Sequence, residues 1–170
     1  MIEIEVKIKI KDREEFKRNI SEAGANLSKD RHFEENTLYD FPDKSLYRKG
    51  CAFRLRTVHK KSFLTFKGPH QKSRKFKVRE EYETEVRNGK QMKHIIKLLG
   101  LVPTFSYCKY RTVYRKKNLT ICLDELDIGT YAEFEGEKNK IVKFAQSVGI
   151  SKKEFITLDY IQLIQKNRKK

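Results

Sequence analysis

No apolar run in the sequence approaches the ~18 residues that a membrane-spanning helix needs. No apolar leader precedes the first charged residues either, so a cytoplasmic protein without a membrane role is expected. Cysteine is scarce. Cys51, Cys108 and Cys122 are odd in number and lack C-x-x-C spacing, which argues against a disulfide framework and a thiolate zinc site and for a reduced compartment. The four histidines, His32, His59, His70 and His94, form no pair with metal-ligand spacing. Any metal would therefore be held by oxygen, which favours Mg²⁺ or Mn²⁺. Acid is the minority charge: 23 Asp and Glu stand against 39 Lys and Arg, a net +16. Such an excess implies an anionic partner: nucleic acid, an anionic membrane or a highly charged small molecule.

Despite 36% charged residues, the chain carries eleven Phe and eight Tyr, which argues against disorder. At 170 residues it is expected to be one domain, 1–170, burying roughly 70% of its unfolded surface. The basic stretch 166–170 is expected to be a disordered tail.

The clearest local pattern is Met1 to Lys11. Ile2, Ile4, Val6, Ile8 and Ile10 alternate with Glu3, Glu5, Lys7, Lys9 and Lys11, which predicts a strand with one apolar and one charged face. That charged face is either solvated or part of a site, with two carboxylates for a divalent cation and an ammonium for an anion. A helix follows from Asp12, its N-cap with Glu15 as capping-box partner, to Gly24. Further strands are read at 31–41, 51–58, 63–67, 73–87, 105–115, 119–124 and 131–137. Helices are read at 88–100, 138–148 and 158–165, with 45–50 a polar connection. Arg54 and Arg56, at i and i+2, set two guanidinium forks side by side, which suits phosphate. On the 73–87 strand the charged face changes sign, from Lys75, Lys77 and Arg79 to Glu81, Glu83 and Glu85.

About eight strands joined mostly by short turns suggest an antiparallel sheet large enough to close. Carboxylates recur as i, i+2 pairs at 3/5, 81/83 and 133/135, although like charges on one face repel. Clustered carboxylates are relieved by divalent metal, and clustered Arg and Lys by polyphosphate. An α+β fold is therefore expected: a closed eight-stranded antiparallel β-barrel with a charged lumen and helices packed outside.

Taken in order, these residues resemble the CYTH family, the triphosphate tunnel metalloenzymes. The matching stretches are Glu3-Ile4-Glu5-Val6-Lys7, Tyr39-Asp40, Ala52-Phe53-Arg54-Leu55-Arg56 and Leu64-Thr65-Phe66-Lys67-Gly68-Pro69. They continue with Arg79-Glu80-Glu81-Tyr82-Glu83, Lys109-Tyr110-Arg111, Leu123-Asp124-Glu125, Glu133-Phe134-Glu135-Gly136 and Asp159-Tyr160-Ile161-Gln162-Leu163-Ile164. The likeness is greatest to the class IV adenylyl cyclase-like branch, although Asp159 replaces the family's usual Ser.

The resemblance implies an enzyme. Lys7, Arg54, Arg56, Lys67, Arg79, Lys109 and Arg111 would bind a small-molecule triphosphate: ATP, thiamine triphosphate or inorganic triphosphate. Glu3, Glu5, Glu81, Glu83, Asp124, Glu133 and Glu135 would hold Mg²⁺ or Mn²⁺, with Glu3, Glu5 and Glu133 catalytic. Hydrolysis of an inorganic or organic triphosphate is the first expectation. Cyclisation of ATP to cyclic AMP and pyrophosphate is the alternative within the family. A non-catalytic RNA- or polyphosphate-binding module is the alternative of another class. Nucleic acid is not the expected partner, because eight carboxylates on the binding face would repel its backbone. A monomer or a homodimer is expected.

Overall fold

A computed structural model describes residues 2–71, 73 and 75–168. Eight strands are formed among them: β1 (Ile2–Ile10), β2 (Asn26–Asp40), β3 (Ala52–Val58), β4 (Lys61–Lys67), β5 (Lys77–Val86), β6 (Val102–Lys116), β7 (Leu119–Leu126) and β8 (Gly129–Glu135). They close into a barrel in the order β1-β5-β4-β3-β2-β6-β7-β8, so the expected closed antiparallel barrel is the architecture found. Five helices accompany it: α1 (Arg13–Glu22), α2 (Ser45–Arg48), α3 (Gly89–Leu98), α4 (Lys138–Ser147) and α5 (Tyr160–Arg168). No helix among the described residues is long and apolar enough to cross a membrane.

Contacts divide the chain into two compact units. The first comprises 1–2, 33–71 and 79–109; the second comprises 3–32, 72–78 and 110–170.

The second unit holds the larger core. Alternation along β1, β7 and β8 puts Val6, Ile8, Ile121, Leu123, Ala132 and Phe134 on one face, all buried. Onto that face pack Phe16 and Ile20 of α1 and Ile141 and Phe144 of α4. The Phe134 ring meets Phe16 at 6.3 Å and Phe144 edge-on at 5.4 Å between centroids. A barrel of eight strands is too narrow to hold a helix, so α1 and α4 lie outside it. The opposite faces of β1, β7 and β8, which carry Glu5, Lys7, Asp124 and Glu133, therefore point inward. Asp12 caps α1, accepting from the amides of Glu14 and Glu15. At the surface, Glu125 accepts from Arg13 at 2.7 Å and from Arg31 at 2.9 Å, and the Arg31 guanidinium lies 3.6 Å over the Tyr110 ring.

The core of the first unit is smaller. It consists of Tyr39, Leu55, Ile96 and Leu101, with Leu46, Phe53, Leu64 and Met92 half-buried against them. The apolar side of β4 and β5 is only partly covered: Phe66 and Tyr82 remain exposed. The span 45–50, read as a polar connection, contains the single turn of α2. The buried Asp40 carboxylate holds that turn, accepting from the amides of Phe41, Leu46 and Tyr47.

Four strands start earlier than the sequence pattern indicates, β2 at Asn26, β4 at Lys61, β6 at Val102 and β8 at Gly129, and β5 starts later, at Lys77. Basic residues 166–168, read as part of a disordered tail, complete α5. Residues 169 and 170 lie outside the described residues.

Candidate active site

The acidic centre lies in the second unit. The β1–β8 register sets Glu5 opposite Glu135 and Lys7 opposite Glu133, and alternation adds Glu3 to the same face. Carboxylate oxygens of Glu3, Glu5 and Glu135 all lie within 4.8 Å of one another. Three carboxylates form an oxygen-only donor set, which fits a hard divalent cation. A second group, Cys122, Glu133 and Glu135, is equally compact. It suits such a cation less well, because burial pushes the Cys122 thiol well up and keeps it protonated.

Around this triad Glu5, Glu133 and Asp124 are paired with Lys7, Lys77 and Arg111. Lys7 Nζ lies 3.0 Å from Glu5 and 3.0 Å from Glu133, and Lys77 Nζ lies 3.1 Å from Glu5. Burial works against the Lys7 charge, but the carboxylates of Glu133 and Glu5 outweigh it, so its pKa is raised and it stays an ammonium. Arg111 grips Asp124 with both prongs of its fork, Nε and Nη2, each at 2.6 Å, and also reaches Glu133. Asp124 is fully buried and accepts a further bond from the Tyr160 hydroxyl at 2.6 Å. Burial first, then Asp124 and Glu133, push the Tyr160 phenol well above its usual value. The Tyr160 ring lies 5.0 Å below Lys7 Nζ, and the backbone of Ile156 pairs with that of Lys7.

The first unit holds a second cluster, richer in arginine. Alternation puts Arg54 and Arg56 on one face of β3, and register brings Thr65 opposite Glu83 and Lys67 opposite Glu81. Arg56 donates to Glu83 at 2.7 Å and to Glu34 at 3.4 Å, and Arg54 donates to Glu83 at 3.4 Å. Thr65 donates to Glu83 at 2.7 Å, and Lys67 lies 2.5 Å from Glu81. Lys109 of β6 lies 3.7 Å from Glu34. Arg79 of β5 is buried as well. Burial disfavours the Arg54 charge, but Tyr107, Glu81 and Glu83 raise its pKa overall.

The residues expected to bind phosphate are thus divided: Arg54, Arg56, Lys67, Arg79 and Lys109 lie in the first unit, Lys7 and Arg111 in the second. Of the expected metal ligands, Glu3, Glu5 and Glu135 converge, and Glu133 belongs to the cysteine-containing group. Asp124 is engaged by Arg111 and Tyr160, while Glu81 and Glu83 are engaged by cations of their own unit.

Sequence reasoning missed two residues. Glu34 is fully buried and joins Arg56 to Lys109, and Asn36 lies beside it. Their i, i+2 spacing was a signal, but Leu38 interrupts the polar face. Lys77 and Tyr160 were read on a charged face and in a tail motif, without a role at the site.

A closed antiparallel barrel with a carboxylate triad, of which Glu5 is buried and Glu3 and Glu135 half-buried, and with buried or half-buried Lys and Arg has the side-chain inventory of a protein that handles metal ions and phosphates together. The chain belongs to the CYTH domain family, whose model matches residues 1–158. That family comprises adenylyl cyclases and triphosphatases that use divalent metals, so the chain is an enzyme of this class. A Methanocaldococcus jannaschii protein described as a candidate adenylate cyclase is 28% identical, covering 96% of this chain and 98% of its own. A Vibrio parahaemolyticus structure, also of a candidate adenylate cyclase, superposes with TM-score 0.88 at 19% identity, over 97% of this chain and 98% of its own. A Hippeastrum protein, described as a candidate adenylyl cyclase with dominant triphosphatase activity, superposes at 0.71 with 20% identity, over 97% and 96%.

Proposed function

We propose that the protein hydrolyses a triphosphate, inorganic or organic, with Mg²⁺ or Mn²⁺. The observation that carries this reading is the convergence of Glu3, Glu5 and Glu135 beside Lys7. Glu3, Glu5 and Glu135 would hold the cation, which supplies positive charge against the charge building on the phosphoryl oxygens. Lys7 and Arg111 bind phosphate oxygens, as do Arg54, Arg56, Lys67, Arg79 and Lys109. Lys7, Arg111, Arg54, Arg56 and Lys67 are already held in place by carboxylates, so they need little rearrangement when the substrate arrives. Glu133 orients Lys7 and Arg111. Asp124 fixes both prongs of Arg111, and Glu81 and Glu83 hold Lys67, Arg54 and Arg56.

In hydrolysis a water oxygen bonds to the terminal phosphorus. The bridging P–O bond breaks, and one proton is released. Cyclisation is the second reading, favoured by the Methanocaldococcus jannaschii relative's description. There a ribose 3′-hydroxyl attacks the α-phosphorus, its proton is lost, and pyrophosphate leaves.

A product assay separates the two. The protein is incubated with ATP, thiamine triphosphate and inorganic triphosphate in turn, with either cation, and the products are resolved by ion exchange. Orthophosphate released in a metal-dependent reaction is the expected result. Cyclic AMP with pyrophosphate would establish the cyclase. No turnover of any of the three would overturn the enzyme reading in favour of a binding module.

A further inference from the structure

The side chain of Asn36 has no role in the chemistry above, and its surroundings are unusual. It is 1% exposed, yet among the described residues neither its amide nitrogen nor its amide oxygen finds a hydrogen-bond partner. Exchanging the two atoms by a flip of the amide changes nothing, since both are unmet. A buried amide left in this state costs folding energy, so a native structure that keeps one asks for an explanation. Residue 36 is the Cα partner of Arg56 across the β2–β3 ladder, so the two side chains share a face. Two residues before it, Glu34 holds both Arg56 and Lys109. The unmet amide thus lies within the arginine-rich cluster of the first unit.

What completes an amide is a group that both donates and accepts. Ionised phosphate oxygens only accept. They would satisfy the nitrogen and leave the oxygen buried and unmet. A hydroxyl satisfies both atoms. In a nucleoside triphosphate the hydroxyls of the sugar are the donor–acceptor groups closest to the phosphates, and the base lies farther away.

We infer that Asn36 is a specificity-determining residue that receives a sugar hydroxyl of a nucleoside triphosphate beside the phosphate held by Arg56. This rests on the reading of the site as a triphosphate site. It selects hydroxyl-bearing organic triphosphates over inorganic triphosphate.

The test is calorimetric binding of ATP, 2′,3′-dideoxy-ATP and inorganic triphosphate, with Mg²⁺, to the wild type and to Asn36→Leu, together with turnover of each. Leucine has a similar size and adds no polar group, and a thermal melt checks that the variant folds. Asn36→Ser is the second variant should Asn36→Leu not fold. The wild type should prefer ATP to the dideoxy compound by about tenfold, the usual worth of one buried polar pairing, and the variant should lose most of that preference. An equal loss of affinity for all three ligands, or a preference for ATP unchanged in the variant, overturns the inference. Equal wild-type affinity for ATP and the dideoxy compound does so as well. Wild-type binding without turnover would defeat the proposed hydrolysis and leave the affinity ratios to decide the role of Asn36. Absence of binding by all three ligands would defeat both.

Discussion

Glu5 illustrates how one buried carboxylate can serve both stability and chemistry. It answers Lys7 and Lys77 and stands in the carboxylate triad. Glu5→Gln keeps the shape but removes the charge. Metal-dependent turnover should fall at least about a hundredfold, the scale on which a lost charge-stabilising contact is felt. The metal-free protein should also lose about 2 to 3 kcal/mol in urea denaturation, because two buried ammonium groups lose a counter-charge. Wild-type rates in this variant would remove Glu5 from the site. Glu125 behaves differently. The bond from Arg31 first, with Arg13 assisting, lowers its pKa despite partial burial. A depressed carboxylate stabilises above its unfolded value and loses that contribution as pH falls through its folded value. Glu125→Gln should therefore cost about 0.5 to 1 kcal/mol near pH 7 and progressively less as pH falls below the ordinary carboxylate range, seen as urea midpoints that converge. At this scale the sequence was readable wherever charge alternated strictly, as in Glu3, Glu5 and Lys7. It was unreadable at Glu34 and Asn36, because an apolar Leu38 breaks their face and burial is a property of the closed barrel rather than of β2.

At the scale of elements, legibility followed hydrophobic periodicity. β1, α1, α3 and α4 were readable to within about two residues because each has a buried stripe that imposes its period. The first six residues of β2 are exposed on both faces, so no period marks them, and the start of the strand was placed too late. α2 is four residues long, too short for a helical period; what creates it is the Asp40 carboxylate at its start. Gly136 shows how a junction controls a site residue. It follows Glu135 at φ +151°, its amide bonds to Ile4, and a Cβ there would meet the Asn118 carbonyl oxygen at 3.0 Å. Gly136→Ala should cost about 1 to 3 kcal/mol and shift Glu135, lowering metal affinity along with the melting temperature. A variant with unchanged melting temperature and metal affinity would show that the junction tolerates a side chain.

For the whole molecule the dominant quantity is the net charge of +16. Among the described residues the buried acids Glu5, Glu34, Asp40, Asp124 and Glu133 are matched in number by the buried bases Lys7, Lys67, Lys77, Arg79 and Lys109, so the uncompensated charge lies largely on the surface. An anionic substrate is then drawn in by the field of the entire protein as well as by the site. The expected consequence is a kcat/KM for triphosphate that falls several-fold as ionic strength rises from about 0.01 M to 0.15 M, with kcat nearly constant. A salt-independent kcat/KM would mean that encounter does not limit the reaction. A steep salt dependence of RNA binding, without a metal requirement, would instead mark a nucleic-acid binder.

The sharing of Glu5 between Lys7 and Lys77, and of Lys7 between Glu5 and Glu133, carries a thermodynamic consequence. A divalent cation entering the triad must compete with two ammonium groups, and a phosphate arriving at Lys7 must compete with two carboxylates. Each newcomer releases the group that the other needs. The two ligands should therefore bind with positive cooperativity, each tightening the other by the same factor, since linkage is reciprocal. A protein built in this way would ignore free metal and free polyanion at low concentration and respond to their coincidence.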